Sequence, residues 1–327
     1  GHAVRAVYMY CAMADLACEY NDSELFKACE ILWKNIVDKR MYITGSIGSS
    51  GLLERFTTDY DLPNDSNYSE TCASIGLALF GLRMAKITRK AKYIDVVERA
   101  LYNTVISGIS MDGKSFFYVN PLEVWPDSCL SRTSKEHVKP VRQKWFGVAC
   151  CPPNIARTLA SLGQYIYMKA KDTLYINLFV SNTSVVELEE KNIYVELVTD
   201  FPNDNNINLK VSSNNDNKAS IAIRIPDYAE NFNITINGKS CLFEVNKGFA
   251  VINGSFNDDI IKVKFDSPAR FMYSNPLLRA DFAKVAITKG PLVYCLEEVD
   301  NGSNLSGIMV NTAEEISEIY DENLLGG

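Results

Sequence analysis

Cys150 and Cys151 run directly into Pro152, Pro153 and Asn154, while a carboxylate and a third thiol, Glu70 and Cys72, stand far upstream. Thiolates and a carboxylate are ligand types that zinc accepts, and a tetrahedral site needs four of them. The apolar spacing of Ile155, Leu159, Leu162 and Ile166 predicts a helix from about Ile155 to Ala170, with Pro153 suited to its first turn. Cys150 and Cys151 then precede a helix N-terminus, whose unpaired N–H groups favour the thiolate that both metal binding and nucleophilic attack require. Spacing alone leaves other readings open. Free cysteine is among the most buried residue types, and Glu70 is placed to close a capping box with Asn67. E-x-C with a distant C-C is less specific than paired C-x-x-C motifs.

The elements that must position these residues divide the chain. Val4, Val7, Tyr8, Cys11, Ala14 and Cys18, then Phe26, Cys29, Trp33 and Ile36, repeat at helical spacing and predict an antiparallel helix pair about Asn21-Asp22. Helical patterns resume at Tyr68 to Ala85 and Tyr93 to Ile106, so helix pairs separated by long loops suggest a solenoid or toroid. Such long connections are more often functional than structural. They end here just before Glu70-Cys72 and just before Cys150-Cys151, and Phe116 to Val119 predicts a short strand inside the second. From Asp172 onward period-two runs take over: Leu174 to Val180, Ile193 to Val198, Ile221 to Ile225, Phe232 to Ile236, Phe249 to Ile252, Ile260 to Phe265 and Val285 to Ile287. Turn signals at Asn237-Gly238, Lys247-Gly248 and Asn253-Gly254 make this an antiparallel β-sandwich. The expected class is α+β multidomain: a helical part over 1–170, a sandwich over 171–300, and a polar tail or further β segment over 301–327. The Asn-rich stretch Asn203 to Asn217 reads as a solvated loop.

A 327-residue chain that is 47% hydrophobic holds a substantial core, and its net charge of −7 argues against nucleic acid as a partner. No membrane span is expected, since the most apolar stretch, Ala3 to Cys18, is broken by Arg5 and Asp15. Nine scattered cysteines indicate a reduced, cytoplasmic setting rather than a disulfide framework. The chain opens on Gly1-His2 without an initiating Met, so a preceding segment is expected.

Gly1-His2-Ala3-Val4-Arg5-Ala6, the stretch from Tyr42-Ile43-Thr44-Gly45 to Glu54, Asp59-Tyr60-Asp61-Leu62-Pro63-Asn64, Tyr68 to Cys72 and Ala149 to Asn154 occur together and in order. Together they resemble the bacterial β-L-arabinofuranosidase family, glycoside hydrolase family 127, over roughly residues 1 to 170. Ile223-Arg224-Ile225-Pro226 and Lys289-Gly290-Pro291-Leu292-Val293-Tyr294 extend the likeness more weakly. The family's toroid has twelve helices and about five precede the sandwich here, so the resemblance implies a partial (α/α)6 toroid followed by an antiparallel β-sandwich. It further implies a zinc-dependent retaining glycosidase that releases L-arabinofuranose. Cys150 is then the nucleophile, through a covalent thioglycosyl intermediate, and Glu54 the general acid/base. Zinc is implied at Glu70, Cys72, Cys150 and Cys151, with sugar contacts at His2 and Tyr118. The expected partner is an L-arabinofuranose-containing oligosaccharide or glycoconjugate, with a homodimer left open. The alternatives are a catalytically silent, zinc-stabilised fragment, or the same chemistry on another plant cell-wall sugar. Without the family, Glu54 reads as a loop acid beside Arg55, with Asp59 and Asp61 as rival acids. Among Tyr118, Trp125, Trp145 and Phe146, only Tyr118 is placed at the site.

Overall fold

The computed structural model describes residues 1–215 and 218–321. The first helices, α1 (Ala3–Glu19) and α2 (Ser23–Lys39), form the expected pair. Asp22 caps α2, its side chain accepting from the N–H groups of Glu24 and Leu25 at 3.0 and 2.9 Å, which satisfies donors that a helix start otherwise leaves unpaired. Helix α3 (Thr71–Thr88) is buried on nearly every side. Its glycines allow this: a Cβ at Gly76 would stand 2.4 Å from Val7, and one at Gly81 2.8 Å from Trp33 and Val97. Here the expectation that no stretch is long and apolar enough to span a membrane is corrected. α3 passes that test by length and composition, with a mean hydropathy of 1.2, yet 72% of it is buried inside the fold as a core helix.

Helix α4 (Lys92–Ala100) continues into a π-helical turn over Leu101–Val105. The helix expected from Ile155 to Ala170 starts earlier and ends sooner, as α5 (Cys151–Ala160) and α6 (Gly163–Ile166). Tyr167–Ala170 is instead strand β1, paired antiparallel with β2 (Thr173–Ile176) across a turn in which Lys171 takes a left-handed φ of 47°. Strand pairing outweighed the helical spacing of that short run.

The remaining strands are β3 (Asn182–Glu187), β4 (Asn192–Thr199), β5 (Asn206–Ser213), β6 (Ala219–Arg224), β7 (Glu230–Ile236), β8 (Lys239–Ser240), β9 (Glu244–Asn246), β10 (Phe249–Gly254), β11 (Asp259–Asp266), β12 (Arg270–Met272), β13 (Ala286–Lys289) and β14 (Leu292–Val293). They form sheets in the orders β1-β2-β6-β10-β9, β3-β4-β5-β11-β7-β8 and β12-β13-β14. Every pairing among the described residues is antiparallel except β2 with β6, which is parallel. The stretch read as an Asn-rich loop contains β5, where Ile207, Leu209 and Val211 alternate inward between polar neighbours. Phe116 to Val119 makes isolated bridges to Ile109, Gln143 and Glu70 rather than a regular strand. Of the expected tail over 301–327, residues 322–327 lie outside the described residues.

The five-stranded sheet is buried on both faces. Ala222 and Phe249 pack with the helices, while Ile221, Ile223, Ala250 and Ile252 pack with the inner face of the six-stranded sheet. Arg224 shares the helix-facing parity of Ala222 and is fully buried. It donates to Asp95 at 2.7 Å, to Glu98 and to the Asn177 carbonyl at 2.6 Å, and the Tyr228 hydroxyl donates to Glu98 at 2.8 Å. Sheet and helices are thus joined through one charged cluster.

Candidate active site and metal centre

Two helix starts meet at the site. Glu70 immediately precedes α3 and Cys72 lies in its first turn; Cys150 immediately precedes α5 and Cys151 is its first residue. The segment around Tyr118 ties them together, because the Tyr118 carbonyl accepts from the Thr71 N–H at 3.1 Å and lies 3.9 Å from Cys151 Sγ. Glu70 does not cap α3 with its side chain; it turns toward the thiols. The Sγ atoms of Cys72 and Cys150 are 3.2 Å apart, those of Cys72 and Cys151 3.6 Å, and those of Cys150 and Cys151 3.9 Å. Glu70 Oε1 lies 3.1 Å from Cys150 Sγ and 4.0 Å from Cys151 Sγ, and all four donors fall within 4.8 Å of one another.

This donor set fits a tetrahedral cation. Ligands at about 2.3 Å (sulfur) and 2.0–2.2 Å (oxygen) from one zinc ion stand about 3.5–3.8 Å from each other, and the separations here bracket that edge length. Glu70 Oε2 is buried without a hydrogen-bond partner, which is costly for a carboxylate unless a cation compensates it. Burial raises the pKa of Glu70 and pushes Cys150 up to about 12. The hydrogen bond shared between Cys72 and Cys151 holds Cys72 below the usual thiol range and drives Cys151 far above it. At Cys150 burial is the largest cause, and the hydrogen bond with Tyr118 opposes it. In the polypeptide alone these acids compete for protons, since each ionisation places negative charge beside the others.

Glu54 belongs to a one-turn 3-10 segment, Leu52–Glu54, in which Leu53 and Glu54 both take left-handed φ angles of 59° and 50°. Two such residues in succession are unusual away from glycine. One carboxyl oxygen lies 2.9 Å from His2 Nε2 and the other accepts from the Tyr68 hydroxyl at 3.0 Å. Across from them the Tyr118 hydroxyl lies 2.9 Å from Cys150 Sγ. The Tyr68 and Tyr118 rings meet edge to face at 6.3 Å, so the acid and the thiol are linked through two phenols. A cavity of about 440 Å³ opens beside Cys72 and Cys150, lined also by Tyr8, Asn154 and Arg157.

The structure thus gathers Glu70, Cys72, Cys150, Cys151 and Tyr118 into one cluster and pairs Glu54 with His2. The rival acid Asp59 is engaged elsewhere: Lys39, Arg40 and Asn35 hydrogen-bond to it and hold it well below the usual carboxylate range. Trp125 and Trp145 are exposed, whereas Phe146, not placed at the site from sequence, packs on Tyr118 with ring centroids 5.6 Å apart. Sequence reasoning also missed Tyr68. Its position two residues before Glu70 was the available signal, but nothing local indicates that its hydroxyl reaches back to Glu54.

The domain description "Beta-L-arabinofuranosidase, GH127 catalytic domain" matches residues 1–164, the GH127 middle domain residues 173–267, and the C-terminal domain of glycoside hydrolase family 127 residues 269–319. A non-reducing end β-L-arabinofuranosidase of Bifidobacterium longum subsp. longum is 38% identical over all of this chain and 51% of its own length. The crystal structure of a GH127 β-L-arabinofuranosidase from Geobacillus stearothermophilus T6 superposes with a TM-score of 0.95 at 46% identity, covering 100% of this chain and 52% of that one. A further GH127 β-arabinofuranosidase structure gives a TM-score of 0.84 at 39% identity, covering 92% of this chain and 48% of its own. The chain spans about half the length of the curated relative and of these solved structures.

Proposed function

This chain belongs to glycoside hydrolase family 127, and from that premise we propose that it carries the centre of a zinc-dependent retaining β-L-arabinofuranosidase, on helices that form part of an (α/α)6 toroid. The observation that carries the proposal is the convergence of Glu70 and three thiols within 4.8 Å, with Glu54 linked to the same cluster through Tyr68 and Tyr118. Glu70, Cys72, Cys150 and Cys151 are the residues that would hold the metal. When bound, zinc keeps these thiols ionised at neutral pH.

A retaining glycosidase needs one group to attack the anomeric carbon and another to protonate the departing oxygen. Here Cys150 Sγ forms the bond to that carbon as the glycosidic C–O bond breaks, and Glu54 gives its proton to the leaving oxygen. Water then attacks the same carbon, its proton passes to Glu54, and the C–S electron pair returns to Cys150. His2 and Tyr118 contact the sugar, His2 from the Glu54 side and Tyr118 from the thiol side. The substrate class is a terminal L-arabinofuranose on an oligosaccharide or glycoconjugate.

Hydrolysis of an aryl β-L-arabinofuranoside, measured beside the zinc content, tests the assignment. Turnover that Glu54→Gln abolishes at unchanged zinc content supports it. One equivalent of zinc with no turnover marks the second reading, a zinc-stabilised but catalytically silent chain, which the half-length match to its relatives keeps in view.

A further inference from the structure

An acid/base carboxyl on a strained backbone must be held by something other than its own loop. We propose that Tyr68 is the positioning residue for Glu54 and acts on the reaction through that carboxyl alone; the proposal rests on the assignment of Glu54 as general acid/base. The Tyr68 hydroxyl donates to Glu54 Oε1 at 3.0 Å, while Oε2 faces His2. The backbone of Tyr68 is pinned on both sides: its N–H donates to the Gly48 carbonyl at 3.1 Å and its carbonyl accepts from the Asn120 N–H at 3.3 Å. Its ring is held between the edge of Tyr118 at 6.3 Å and the imidazole of His137 at 5.5 Å.

His137 does more than flank the ring. It lies over Gly51 in the turn that carries Glu54, where a Cβ would fall 2.5 Å from His137 Nδ1, and its Nε2 is 3.3 Å from the carbonyl of Asn67, the neighbour of Tyr68. The turn bearing the acid and the phenol holding that acid therefore share one imidazole as their backing. Left-handed φ at Leu53 and Glu54 persists only where the surroundings over-determine it, and this clamp supplies that constraint. Because Tyr118 touches both Tyr68 and Cys150, the clamp also sets the acid against the thiol.

The test exploits the chemistry of the leaving group. Proton donation by Glu54 matters most when the departing oxygen is strongly basic and least when it leaves as dinitrophenolate, so loss of Glu54 aim has a signature that general structural damage lacks. Tyr68→Phe keeps the ring contacts and removes only the hydroxyl. With a poor aryl leaving group kcat/KM is expected to fall roughly ten- to hundred-fold, the scale of a hydrogen bond to a charged group. With a dinitrophenyl leaving group it should change little. His137→Leu should show the same trend at smaller amplitude. Unchanged activity with every leaving group, or an equal loss with all of them, overturns the proposal. If the wild-type chain hydrolyses no arabinofuranoside, the enzymatic reading fails, and crystal structures of the wild type and Tyr68→Phe decide the positioning claim: a displaced Glu54 carboxyl supports it and an unmoved one overturns it.

Discussion

At the junction of helices and sheet, Arg224 lies fully buried against Asp95 and Glu98. At the junction of α3 and α5, Glu70 lies buried among three thiols, and no lysine or arginine pairs with it among the described residues. Both clusters bring side chains from distant parts of the chain into a dry place, where an uncompensated charge is expensive. The first contains its own cation. In the second, one carboxyl oxygen is left without a partner, and three soft thiols and one carboxylate are spaced for a metal. The difference separates architecture from chemistry: Arg224 fixes the sheet onto the helices, while the thiol cluster is a group that could hold a metal ion.

The contrast can be broken in several places. The largest expected effect is on catalysis, where Cys150→Ala should reduce hydrolysis by on the order of 10⁴-fold or more, the scale seen when a covalent nucleophile is removed. Turnover near the wild-type rate would remove Cys150 from the mechanism. Next, Arg224→Met leaves two buried carboxylates without their cation and should cost about 3–5 kcal/mol of stability, read as a fall in the urea midpoint. A loss below about 1 kcal/mol would mean the cluster is solvated. Chelation should lower the melting temperature of the wild type and of Arg224→Met, but not that of Cys72→Ser, because only an intact ligand set links metal to folding. An equal chelator response in Cys72→Ser would place the stabilising metal elsewhere.

The smallest effect is a pH slope. Burial, opposed by Arg224, raises Asp95 from its ordinary value of 3.8 to about 7. The folded chain therefore binds more protons than the unfolded one between those values, and the Asp95 contribution to stability falls as pH rises through that window, by at most about 1.4 kcal/mol per pH unit. Melting curves from pH 5 to 8 should flatten in Asp95→Asn. An unchanged slope would show that Arg224 keeps the carboxylate ionised throughout.

The same two regions explain what was legible in the sequence. Glu70, Cys72, Cys150 and Cys151 stood out because thiols beside a carboxylate are rare and each pair flanks a helix start. Arg224 did not, since a polar residue in the alternating run Ile221 to Ile225 reads as solvent-facing; it is buried because helices cover the face that an isolated sandwich would leave wet. Strand β5 was hidden for a related reason, as the asparagines before and after it, joined by Asn206 and Asn208 on its outer face, masked the cue from Ile207, Leu209 and Val211. Tyr68 and His137 were illegible because their contacts to Glu54 and Gly51 arise only once loops distant in sequence converge.

Anomalous scattering measured at the zinc edge from crystals of the intact chain tests the central claim most directly. The predicted result is one peak of full occupancy at about 2.3 Å from the Sγ atoms of Cys72, Cys150 and Cys151 and about 2.0–2.2 Å from a Glu70 oxygen. A metal-free cluster in which Cys72 and Cys150 have joined as a disulfide, or a zinc peak bound away from these four side chains, would contradict it.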